Sequence, residues 1–255
     1  RVYAVFGWAD QWPPSYLVVY ADNPNGTPGF HLGFNLNQGG GSLFLYDSVA
    51  RGGALLDSVT YGLQLTDLSI GRLADGGWAL CEPTFGSANV RAQLGDQTKL
   101  KINEWLASAA VAAPSDFVEL YNPETVPVLL SGLYLTDNPI GWPTQHLVAP
   151  LTYIPARGVT VFQADGNANA GPDHLNFKLS ADRGVIALLT SNLTLIDQIV
   201  YGPQTTDSSQ GRSPNGTNRF VFFSQPSPGG LNPVNAGAPT TNITAITLPL
   251  IDWLN

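Results

Sequence analysis

The sequence predicts an all-β protein made of two β-sandwich domains, the first short of its opening strands, followed by an extended C-terminal strand. Three observations predict it. The 27 glycines and 20 prolines outnumber the 11 basic and 19 acidic residues together, a turn-rich composition poor in the charged residues that helices display. Apolar runs are short, four to eight residues, and bounded by turn residues, as strands are. Finally, the chain repeats itself, and a repeat decides how the rest is divided.

The repeat is clearest where YGLQLTDLSIGR at 61–72 answers YGPQTTDSSQGR at 201–212, with eight of twelve residues identical. The mismatches fall mostly at alternate positions, as on the free face of an extended segment. Upstream, HLGFNL at 31–36 answers HLNFKL at 174–179, and Ala21-Asp22 answers Ala164-Asp165, both offset by 143. The offset drops to 140 at Asp57 and Asp197, because the first copy carries three extra residues near 51–53. It returns to 143 where PTFGSAN at 83–89 faces PSPGGLN at 226–232. Insertions in loops with strands held in register are how two folded copies differ.

The second copy reads as about eight short strands. They are LKINEWLA (100–107), where a short helix competes, FVELYNP (117–123), LSGLYLTD (130–137), VTVF, HLNFKLS, GVIALLT, TLIDQIVYG and RFVFF before a Pro/Gly stop. Their alternation of apolar and polar residues suits sheets with one buried and one solvated face.

In this order and spacing, INEWLAS, DFVELYNP, LSGLYLTD, HLNFKLS, TLIDQIVYG and the terminal GR…PSPGGLN resemble the lamin tail domain. The resemblance covers roughly residues 99–232, and its second half returns over about 16–89. It implies an immunoglobulin-like sandwich, a non-catalytic module found in nuclear lamins and in secreted bacterial proteins. The tandem repeat, with no coiled-coil rod, resembles the bacterial surface form and implies an extracellular or cell-surface place. The domains expected are 1–95, an incomplete lamin-tail-like sandwich; 96–232, a complete one; and 233–255, a linker and strand.

The first copy lacks counterparts of INEWLAS, DFVELYNP and LSGLYLTD. A sandwich short of these strands leaves apolar surface wet and ladder N–H and C=O groups unpaired. The segment NITAITLPLIDWLN at 242–255 is too apolar for a solvated tail and is interrupted by Pro249, so it reads as a strand in search of a sheet. Its candidate donor residues are Ile243, Ile246, Leu248, Leu250, Ile251 and Trp253. The acceptor candidates in the first domain are Val2, Tyr3, Val5, Phe6, Leu17 and Val19. Donation from one copy to the next, head to tail, builds filaments. Two other readings stay open: a fragment cut from a longer array whose missing strands lie upstream, and a tail folded back on its own chain.

No residue pattern points to an enzyme. His31 and His174 occupy equivalent places, which fold position explains, and His146 stands alone. Ser69 and Ser209, near Asp67 and Asp207, lack the strand–turn–helix setting of a nucleophile elbow. They suit turns in which Asp and Ser bond local backbone, with Arg72 and Arg212 paired to an acid, Asp67 and Asp207 being the candidates. The single Cys81 reads as a buried small residue, with no disulfide or structural zinc cluster to join.

With a net charge of −8 and only three lysines, the chain has no basic stripe for nucleic acid. No run suits a membrane span or a signal peptide, and with no Met at all it reads as a mature or excised piece. Calcium is the one cofactor with residue support, since Asp22, Asn25, Asp165, Asn167, Asn169 and Asp173 place hard oxygens in matching loops. Asn25, Asn192, Asn215 and Asn242 are glycosylation candidates, making the chain a candidate glycoprotein. The expected partners are copies of itself. The alternative from another class is a carbohydrate- or surface-binding module cut from a larger secreted enzyme, with Trp8, Trp12, Trp142 and Trp253 as candidates to stack on glycans.

Overall fold

The computed structural model describes residues 16–22 and 28–234. The chain is nearly all β, as the composition predicts, with 3₁₀ turns at Val49–Arg51 and Gln97–Lys99. It divides into two compact units. The first is drawn from the chain up to Gln93 together with Pro150–Tyr153; the second from Leu94–Ala149 and the chain from Ile154 on.

In the first unit, β1 (Val19–Ala21) runs parallel to β2 (Phe30–Leu32). Next, β3 (Gly41–Tyr46) and β4 (Leu55–Tyr61) form an antiparallel hairpin. A third sheet has the order β5 (Ser69–Arg72), β6 (Trp78–Glu82), β7 (Val90–Arg91), with β6 central. Pro150–Tyr153 lies along the turn after β4: Gly62 N–H donates to Pro150 O at 2.7 Å and Tyr153 N–H to Leu63 O at 3.3 Å.

The second unit carries β8 (Lys101–Leu106), β9 (Phe117–Tyr121), β10 (Val128–Leu129), β11 (Tyr134–Thr136), β12 (His146–Leu147), β13 (Tyr153–Ile154), β14 (Val159–Gln163), β15 (Gly184–Leu189), β16 (Leu195–Tyr201), β17 (Ser209–Arg212) and β18 (Phe220–Phe223). Its two larger sheets have the orders β12-β11-β15-β16 and β14-β9-β8-β17-β18, and β10 pairs β13. Leu100, Ile102, Trp105, Val118, Leu120, Leu133, Leu135, Phe162, Ile186, Leu188 and Ile199 pack as one buried core. Seven of the eight strands read from the sequence are present, and β17 with the two-residue strands β10, β12 and β13 brings the total to eleven.

LKINEWLA is a strand and not a helix, but it and FVELY do not alternate buried with exposed. From Ile102 to Leu106 every residue of β8 is buried, and so are Phe117 to Leu120 in β9. Asn103, Glu104 and Glu119 can be buried because each is fully hydrogen-bonded, as buried polar groups must be. HLNFKLS is no strand; it makes single bridges, His174 to Gln163 and Lys178 to Asp165.

The two units repeat one another bridge for bridge. Tyr20 pairs His31 in parallel as Gln163 pairs His174, and Asp22 bridges Asn35 as Asp165 bridges Lys178. The hairpin β3–β4 corresponds to β15–β16, and β5–β6 to β17–β18. The neighbours differ. In the second unit β15 also pairs β11, and β17 also pairs β8. Among the described residues, β3 pairs only β4 and β5 pairs only β6.

Candidate functional site

The first unit departs from its counterpart at β3 and β5, each of which lacks, among the described residues, the second strand neighbour that β15 and β17 have. In the second unit, β11 and the sheet behind it cover β15, and Ile186, Ala187, Leu188 and Leu189 are all buried. Their counterparts Leu43 and Leu45 are only partly buried, and Phe44 and Tyr46 are 54% and 57% exposed. Leu55 and Leu56 on β4 are exposed as well. Phe44, Tyr46, Leu55 and Leu56 thus leave large apolar side chains exposed on this hairpin, where β15 and β16 have none.

The β5 edge carries the polar chemistry. In the second unit, Arg212 on β17 holds both oxygens of Asp197 at 2.8 and 3.1 Å. It also donates from Nε to Ile102 O at 2.7 Å, and from Nη1 to Thr217 O and Asn218 Oδ1. Asp197 in turn accepts the Ile102 N–H at 2.8 Å. The ion pair thereby grips the backbone of β8 from both sides of one residue, and β8 seals it: Arg212 is 1% and Asp197 11% exposed.

The same pair exists in the first unit, Arg72 Nη2 lying 2.6 Å from Asp57 Oδ1 with both side chains 45% exposed. Each guanidinium carbon sits over the aromatic ring opposite it, Arg72 over Trp78 at 4.7 Å and Arg212 over Phe220 at 4.6 Å from the centroid. Each is backed by an asparagine, Asn89 Nδ2 donating to Arg72 O and Asn232 Nδ2 to Arg212 O.

These contacts correct the sequence reading of TDxSxGR. Ser69 and Ser209 stand in strands, not turns. The arginines pair with Asp57 and Asp197, not with Asp67 and Asp207. Both Asp67 and Asp207 have positive φ, 59° and 58°, at the turn before the strand. One oxygen of Asp207 accepts the N–H groups of Ala110, Val111 and Ala112, and these donors hold its carboxyl below the usual range. The shared offset of 140 between Asp57/Asp197 and Arg72/Arg212 is the sequence signal that would have found the pair.

A second buried network lies beneath β8 and β9. Glu104 accepts from Ser209 Oγ, from Ser227 N–H at 3.0 Å and from Ser227 Oγ at 2.8 Å. Glu119 accepts from Asn103 Nδ2 at 3.0 Å and Gly229 N–H at 2.9 Å. Burial pushes the Glu119 carboxyl up to about 8, and the neighbouring Glu104 adds to the shift. Sequence reading missed this network, since alternation puts such residues on a solvated face.

His31 Nδ1 lies 2.8 Å from Asp22 and His174 Nδ1 2.7 Å from Asp165, a repeated pair that links each loop to its bridge. The other oxygen of Asp165 accepts the Asn167 N–H; Asn167 and Asn169 are exposed and Asp173 half-buried. Among the described residues no group of three or more His, Cys, Asp or Glu side chains converges as a metal ligand set. His146 is buried and its Nε2 has no partner, and burial lowers its pKa. Cys81 is buried, which raises its thiol pKa.

Asn192 is exposed on a turn, whereas Asn215 is built into the fold, its Oδ1 accepting from Asn103 Nδ2 and Asn232 N–H. Trp142 is exposed, Leu17 is exposed at the start of the described chain, and Val19 is partly buried in β1. The donor candidates Ile243, Ile246, Leu248, Leu250, Ile251 and Trp253, the acceptor candidates Val2, Tyr3, Val5 and Phe6, the sequons at Asn25 and Asn242, and Trp8 and Trp12 lie outside the described residues.

The fold is that of an all-β, sandwich-type protein in which, among the described residues, β3 and β5 of the first unit each have a single strand neighbour. Compared with known proteins, the chain matches no family model, no curated protein and no solved structure. Among the described residues no helix is long and apolar enough to cross a membrane, which says nothing of a β-barrel.

Proposed function

We propose that the chain is an extracellular, non-catalytic structural subunit. It is built of one complete and one incomplete lamin-tail-like sandwich, and it assembles by donating its C-terminal segment to the open first unit of a neighbouring copy. The observation that carries this reading is the Arg72–Asp57 pair. It shares with Arg212–Asp197 the acid, the aromatic ring under the guanidinium and the asparagine behind it, yet no strand lies across it among the described residues. An edge that keeps its strand-gripping groups and its apolar face is an acceptor for β-addition. A contact from the tail of one copy to the head of the next does not close on itself unless rotation brings it round, so the product is a filament.

Sedimentation and electron microscopy of the purified full chain test this reading. Concentration-dependent filaments are expected, suppressed by excess synthetic peptide spanning 241–255. Monomers that bind surface glycans at every concentration would replace it with the binding-module reading.

A further inference from the structure

The C-terminal residues 248–255, LPLIDWLN, repeat the sequence of β8, a strand with no counterpart in the first unit among the described residues. Set against LKINEWLA at 100–107, Leu248 falls on Leu100, Leu250 on Ile102, Asp252 on Glu104, Trp253 on Trp105 and Leu254 on Leu106. Trp followed by Leu occurs nowhere else in the chain, and in both places an acid precedes it.

In the second unit β8 uses these residues in three ways. The Ile102 backbone is gripped by Arg212 and Asp197. The Glu104 carboxylate collects the hydroxyls of Ser209 and Ser227. Trp105 packs between Tyr201 and Phe220, with ring centroids 5.9 and 6.0 Å away.

The first unit holds a counterpart of every one of these receivers. Arg72 and Asp57 stand for the grip. Ser69 and Thr84 stand for the two hydroxyls; Ser69 Oγ lies at 3.2 and 3.4 Å from the Cys81 and Glu82 carbonyls, and Thr84 Oγ1 at a long 3.4 Å from Asn89. Tyr61 and Trp78 stand for the aromatic walls, by the registers of β4 and β6.

Resting on the strand-donation reading, we infer that residues 248–255 of a second copy take the β8 position, antiparallel to β5, with Trp253 opposite Ile70 and Asp252 opposite Gly71. The register is that of Trp105 opposite Gln210 and Glu104 opposite Gly211. In it the Leu250 N–H donates to Asp57 and its carbonyl accepts from Arg72. Asp252 accepts from Ser69 and Thr84, and Trp253 enters between Tyr61 and Trp78. A strand of any other register puts a side chain with no acid in front of the two hydroxyls, and a one-residue slip also turns Trp253 to the other face.

Disulfide trapping in the full chain tests the register. Cysteines replace Ser69 and Leu254, the next pair of the ladder, in a Cys81→Ser background. Opposed antiparallel residues lie about 4.5–5.5 Å apart at Cα, within disulfide reach. The expected result is a ladder of disulfide-linked oligomers, much weaker when the second cysteine is at Asn255. It is suppressed by a 241–255 peptide and at least about tenfold less by the same peptide with Trp253→Ala, since a buried Trp dominates such contacts. Filaments that trap only the shifted pair would overturn the register and leave donation standing. A disulfide confined to monomers would keep the strand's place but overturn donation between copies. Neither filaments nor a cross-link would overturn both.

Discussion

Arg72 and Asp57 form an ion pair at 2.6 Å that is 45% exposed on both sides, at the positions where Arg212 and Asp197 are sealed under a strand. The same two residue types therefore carry different energies in one chain. An exposed pair contributes about 1 kcal/mol or less, whereas removing one partner of a buried pair costs about 3–5 kcal/mol. Arg212→Met should therefore lower denaturant stability by about that larger amount, since it strands Asp197 and the Ile102 and Thr217 carbonyls. Arg72→Met should leave the dilute chain within about 1 kcal/mol of the parent yet reduce its assembly. Urea titrations of both variants, paired with sedimentation, check this; equal losses of stability would contradict the difference in cover.

Gly211 and Gly71 repeat as well, but what a methyl group would meet differs. At Gly211 a Cβ would come within 2.5 Å of Asn103 O and 3.0 Å of Glu104 Cα, both backbone of the adjoining strand. At Gly71 it would meet the side chains of Asn89, at 2.6 Å, and Cys81, at 2.9 Å. Backbone cannot yield as a side chain can. Gly211→Ala should cost about 2–3 kcal/mol and Gly71→Ala less, with faster amide exchange in β8 as the local signature of the first.

The repeat and the strand-rich fold were legible because they rest on spacing and on short apolar runs. The buried faces of β8 and β9 were not. Alternation describes a sheet with one wet face, and it fails where the loops holding Ser227, Gly229 and Asn232 close over Asn103, Glu104 and Glu119. The arginine partner was missed because local proximity favoured Asp67 and Asp207, while the pair that forms comes from the preceding strand, 15 residues away in both copies. Pro150–Tyr153, which lies along the turn after β4, had no signal in composition or repeat.

Of the two described sequons, only Asn192 is open to modification. Asn215 Oδ1 accepts two hydrogen bonds at 2.8 and 2.9 Å, and a glycan on its nitrogen would force that network apart. Secretion from a glycosylating host should give folded protein carrying sugar at Asn192 and none at Asn215, as read by peptide mapping. Asn192→Gln should remove that increment without altering the melting temperature by more than about 2 °C, as surface substitutions do. Folded protein bearing a glycan at Asn215 would contradict the place of that side chain in the hydrogen-bond network.

Glu119 gives the fold a pH dependence with a definite sign. Its carboxyl is pushed from an ordinary value of 4.5 up to about 8, by burial first and by Glu104 in addition, against the donors Asn103 and Gly229. Between those values the folded chain binds more protons than the unfolded one, so stability falls as pH rises and levels off above about 8. His146 acts in the other direction. Its pKa is lowered by burial from 6.5, so its contribution is present above that value and lost on acidification. Cys81, raised above 9.0, adds its own fall only at higher pH. The interval from about pH 7 to 8.5 therefore isolates Glu119. Melting temperature should decline across it, and Glu119→Gln should flatten the decline whatever it does to absolute stability. A parent chain with no slope there would mean that Glu119 is ionised in the folded protein, its charge held by Asn103 and the Gly229 N–H.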